Sequence, residues 1–124
     1  RIEAATMAEM VRRQILPAGQ AALRELGQTS RAKQEISPLL SCKAEELLGT
    51  QVSNYNDMLL AGCTLLENLL RDFPSGTEEQ KALYARDRLL PAMNELRQAA
   101  DALEQMCPAH LWPMPTYGEL LYGV

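Results

Sequence analysis

Ala44-Glu-Glu-Leu-Leu-Gly-Thr-Gln-Val-Ser-Asn-Tyr-Asn-Asp-Met-Leu-Leu-Ala-Gly-Cys-Thr-Leu-Leu-Glu-Asn-Leu-Leu70 carries the longest regular pattern in the chain. Within it Ala44, Leu48, Val52, Tyr55, Leu59, Gly62, Leu66 and Leu69 recur at steps of three or four, the spacing of one face of an α-helix. No proline interrupts the run, and Pro74 with Gly76 closes it at Phe73 or just before.

Upstream, Ala4, Ala8, Val11, Ile15, Ala18, Ala22 and Leu26 form a second stripe of the same period. This helix ends near Gly27 or continues through Ser30 to Gln34, and Ser37-Pro38 reads as the start of the next, with Ser as N-cap and Pro in the first turn. Downstream, Thr77-Glu-Glu-Gln80 is a capping box. A third stripe of Leu83, Leu90, Met93, Leu96, Ala100 and Leu103 then runs to Cys107-Pro108.

Three helices of roughly 30 residues, each about 45 Å long, joined by short connections, predict an all-α domain: an up-down-up antiparallel three-helix bundle over residues 1–107. Pro17 and Pro91 both fall inside helical patterns, each in a Leu-Pro-Ala triplet. Each removes a backbone donor and crowds the carbonyl four residues earlier, so two kinks are expected. Their positions along the first and third helices predict kinks at nearly the same height, with both helices bending together; the alternative is that one proline opens a separate helix.

Residues 108–124 read as a tail. Pro113 and Pro115 favour extended backbone, and Thr116-Tyr-Gly-Glu119 repeats the capping-box pattern ahead of a short terminal helical turn. Trp112, Met114, Tyr117, Leu120, Leu121 and Tyr122 give it more apolar surface than a solvated end carries, so it is expected to dock, on its own bundle or on another domain or subunit. The Trp112 ring should be buried, with its indole N–H on an acceptor.

Aromatic residues make up 5% of the chain and strand-forming runs are few, which favours helix throughout. The net charge of −4 arises from interspersed charges, so nucleic acid and membrane are not the expected partners. No apolar run reaches the length of a membrane span and no leader pattern opens the chain, which reads as cytoplasmic. Cys42, Cys63 and Cys107 are widely spaced, which argues for reduced thiols filling helix faces. His110 has no metal-ligand spacing around it and reads as structural or solvated. Glu45, Glu46, Glu67, Glu78, Glu79, Glu95 and Glu104 read as a solvated surface. No catalytic, cofactor-binding or metal-ligating residue is expected here.

Three anchors in order, Thr6-Met7 with Gln14-Ile-Leu-Pro-Ala18, then Leu90-Pro-Ala-Met-Asn-Glu-Leu96, then Trp112-Pro-Met-Pro-Thr-Tyr-Gly118, resemble the C-terminal region of type III glutamine synthetases. With Arg1 rather than Met in first place, the chain reads as a fragment of something longer. The resemblance implies a parent that joins ammonia to glutamate with ATP and Mg²⁺ or Mn²⁺, in a site outside this chain. It also implies a large double-ring homo-oligomer whose catalytic domain and neighbouring subunits are the partners. An independent helical interaction module is the competing expectation.

Overall fold

The computed structural model describes residues 2–114, and these are all-helical, in three long stretches. The first runs over 2–36: α1 (Ile2–Met10), a π-helical turn (Val11–Ile15) and α2 (Leu16–Ile36). The second is α3 (Lys43–Arg71). The third runs over 78–106: α4 (Glu78–Tyr84), a second π-helical turn (Ala85–Leu89) and α5 (Leu90–Met106), followed by a 3-10 turn (Ala109–Leu111).

Each π-turn lies just ahead of a Leu-Pro pair. Leu16 N–H reaches back five residues to Val11 O, and Leu90 N–H does the same to Ala85 O. A proline inside an α-helix has no N–H to give and its ring crowds the carbonyl four residues back; the wider turn opens the backbone at that point. The backbone stays right-handed helical through both sites, from Met10 (φ −61, ψ −45) to Leu16 (φ −59, ψ −46) in the first. Neither Pro17 nor Pro91 therefore opens a separate helix after a break.

The first two stretches meet in opposite order along the chain. Cys63 Sγ donates to Ala8 O at 3.2 Å, Arg12 pairs with Glu67, Gly19 faces Asn56, and Lys33 Nζ lies 2.6 Å from Glu45 Oε1. Gly19 and Gly62 sit where a neighbouring helix leaves little room for a Cβ, the first under the Asn56 amide and the second where an added Cβ would stand 3.1 Å from Leu96 Cδ1. Tyr84 joins the start of the third stretch to the end of the second, donating from its hydroxyl to Leu69 O at 2.7 Å and packing edge-on against Phe73.

The first stripe is buried from Ala4 through Ala22 as the spacing predicts, with Leu26 only partly covered. In α3 the buried face is Val52, Asn56, Leu59, Cys63 and Leu66, so two positions absent from the apolar series, Asn56 and Cys63, belong to it, while Leu48 is exposed. In the third stretch Leu89 is buried while Leu83 and Leu90 are exposed. Leu89, not Leu90, lies two full turns ahead of Leu96, and the π-turn shifts the phase only for residues before it, such as Leu83.

Three further expectations change. Ser37-Pro38 does not start a helix. Ser37 is extended, as a residue before proline prefers, and ends α2 at Ile36; Leu40 N–H then bonds Ser37 O across a turn with Pro38 in its second place, and the next helix begins at Lys43. The two prolines do not share a height. Cys107 Sγ lies 3.9 Å from Ala18 O, beside Pro17, and Cys107 is sixteen residues beyond Pro91, roughly 24 Å along a helix. Glu45 is not a solvated surface carboxylate, since its side chain is 10% exposed against Lys33.

Candidate interaction site

The turn that follows α5 brings the sequence's aromatic anchor inward. Cys107 and Pro108 are extended, Leu111 and Trp112 bond back to Pro108 and Ala109, and Trp112 becomes 8% exposed as part of the apolar core. The expected acceptor for its indole N–H is not there: among the described residues Nε1 has no partner. Among the described residues the only buried polar side chain in this core is Asn56, whose own amide is unpaired there, and helical backbone leaves few carbonyls free. Met114 is partly buried against the same core. Tyr117, Leu120, Leu121 and Tyr122 lie outside the described residues.

Between the first stretch and α5 runs an open groove of about 610 Å³. Met7, Met10, Val11 and Ile15 line one side, Met93, Leu96 and Ala100 the other, and Met114 contributes to it from beyond α5. Ile2, 83% exposed, stands in its wall, and Glu3, Arg97 and Asp101 supply its charge. Four of the chain's six methionines are here, and unbranched, polarisable thioethers make a surface that adapts to irregular apolar partners. Of these only Met93 belonged to a predicted stripe. Met7 and Met10 sit one position before Ala8 and Val11 on the flank of the first stripe, a spacing of three that places both on one side of the helix.

Two polar pairs lie outside this groove. Arg12 donates to both carboxylate oxygens of Glu67, at 2.9 and 2.8 Å, which holds the Glu67 carboxyl below its ordinary range. His110 Nε2 lies 2.7 Å from Glu25 Oε1, tying the turn after α5 to α2. Cys107 is close by, but burial, with Glu25 adding to it, pushes its thiol up, the opposite of what a nucleophile requires. Burial likewise raises the Cys63 thiol, and all three cysteines are free. Among the described residues no three His, Cys, Asp or Glu side chains converge to hold a metal ion. No helix there is long and apolar enough to cross a membrane. The chemistry this surface offers is apolar association with a charged edge.

The chain is similar to a type-3 glutamine synthetase from Dictyostelium discoideum, 29% identical over 75 residues, which is 60% of this chain and 10% of that protein. It thus spans about a tenth of the length of the curated relative it matches. No family model matches the chain, and no solved structure matches it. The similarity supports a glutamine synthetase-related part.

Proposed function

We propose that this chain is a helical domain of a cytosolic glutamine synthetase of the type III kind, serving structure, oligomer assembly or regulation while ammonia is joined to glutamate elsewhere in the parent. The observation that carries this reading is the similarity over 75 residues to a type-3 glutamine synthetase. The ordered Thr-Met, Leu-Pro-Ala-Met-Asn-Glu-Leu and Trp-Pro-x-Pro-Thr-Tyr-Gly anchors agree with it. On this reading ATP and the divalent cations belong to the parent's catalytic domain, and the partners are that domain and neighbouring subunits. The three stretches act as an up-down-up three-helix bundle bent at Pro17 and Pro91, with the tail from Trp112 onward docked.

The second reading, an independent helical module that binds a partner protein, is favoured by the apolar side chains exposed around the α2–α3 turn, where Ile36, Leu39 and Leu47 are 77%, 93% and 61% exposed. Assembly separates the two. Glutamine formation and particle mass by light scattering are to be measured for the parent enzyme with and without this segment. Loss of ring mass together with activity supports the assembly role. Unchanged mass and unchanged activity overturn it and favour the independent module.

A further inference from the structure

We propose that the methionine-lined groove between the first helical stretch and α5 is the docking site of this chain's own residues 115–124. This does not depend on what the parent enzyme does.

Two observations carry it. Met114, the last described residue, is itself part of the groove lining, so the segment that follows starts at the site and needs no linker to reach it. The segment is Pro-Thr-Tyr-Gly-Glu-Leu-Leu-Tyr-Gly-Val, in which Tyr117, Leu120, Leu121 and Tyr122 match the apolar character of Met7, Met10 and Met93. Its single charged side chain, Glu119, has Arg97 as its one basic counterpart among the groove residues, where Glu3 and Asp101 also stand, so the match rests on the apolar side chains and Glu119 must be placed toward Arg97.

Length and tethering favour the same occupant. Residues 2 to 15 cover about 20 Å of helix, and ten residues reach up to about 33 Å when extended, so the segment is long enough to lie along the groove. A segment joined directly to its site is present there at an effective concentration on the order of millimolar, well ahead of a free peptide or a second copy of the chain. Docking would also cover Ile2, which stands 83% exposed in the groove wall.

The test uses the unmodified full chain with isotope-labelled methionine methyl groups. Nuclear Overhauser contacts are expected from the Met7, Met10 and Met93 methyls to the ring protons of Tyr117 or Tyr122, with intensities independent of protein concentration. Met58, on an exposed part of α3, serves as the control and should show none. In the full chain carrying Leu120→Glu and Leu121→Glu, the three groove methyl signals should shift while Met58 stays in place. Absence of the contacts in the unmodified chain overturns the proposal, as do contacts to Met58 instead. Contacts that fade on dilution also overturn it, since they would assign the groove to a second copy.

Discussion

Gly19 and Asn56 meet where the first helical stretch crosses α3, and the crossing is too close for any side chain at residue 19. An added Cβ would collide with the Asn56 amide oxygen and stand 2.8 Å from its Cγ. Asn56 is 4% exposed and neither of its amide atoms has a partner among the described residues, a situation that costs about 1–3 kcal/mol. Gly19→Ala is therefore expected to lower stability by about 1–3 kcal/mol through overpacking. Asn56→Ala should be close to neutral, because an unpaired amide is removed along with some packing, and the double variant should recover most of the Gly19→Ala loss. Urea unfolding of all four species measures the coupling, and strictly additive losses would mean that the amide swings aside. Trp112 poses the matching question at the other end of the core. Trp112→Ala should cost about 3–5 kcal/mol, whereas Trp112→Phe should cost much less, since the indole N–H that is lost bonds nothing among the described residues. An unchanged unfolding midpoint for Trp112→Ala would remove the ring from the core of this domain.

Helix ends with a dedicated polar signal were legible from sequence, and the capping box is the clearest case. Thr77 Oγ1 accepts from Gln80 N–H at 3.1 Å while Gln80 Oε1 accepts from Thr77 N–H at 2.9 Å. Thr77→Ala should destabilise the third stretch by about 0.5–2 kcal/mol, seen as faster amide exchange over Glu78–Tyr84 before any change in α3. Ser37-Pro38 carried an equally plausible signal and meant something else, because the same two residues also suit the first two places of a turn. The first stripe was readable through Ala22 because small and branched apolar residues fall at every inward position. The third failed at Leu90, although the helix from there to Leu96 is regular α-helix. At about 100° per residue, Leu90 to Leu96 falls roughly 120° short of two turns, while Leu89 to Leu96 closes to within about 20°, so two successive steps of three were the only warning. Asn56 was passed over for its polarity, and Met7 and Met10 for lying beside the stripe rather than on it. The groove they build exists only once α5 is alongside.

At the scale of the whole molecule, burial sorts the three thiols. Cys63 and Cys107 are buried and held protonated by desolvation, while Cys42, at the start of α3, is only partly covered. A thiol reagent at mildly alkaline pH should label Cys42 in the folded protein and reach the other two only after global unfolding, which mass spectrometry of the labelled peptides can read. Acid should act on the fold through the contact between Arg12 and Glu67, which joins the first helical stretch to α3 across 55 positions of sequence. Because the folded protein holds Glu67 at a lowered pKa, chiefly through the Arg12 hydrogen bonds, the folded state binds a proton there less readily than the unfolded chain does. The pair therefore stabilises the fold above the ordinary carboxylate range, and that contribution is lost as pH falls through the depressed folded value. Both side chains are more than a third exposed, so solvent screening keeps the effect well below that of a buried pair. Glu67→Gln should melt below the unmodified protein at neutral pH, with the gap closing as pH is lowered past about 4 and narrowing in high salt. A gap that is constant across the acid range would mean that Glu67 acts through packing of its aliphatic stem rather than through its charge.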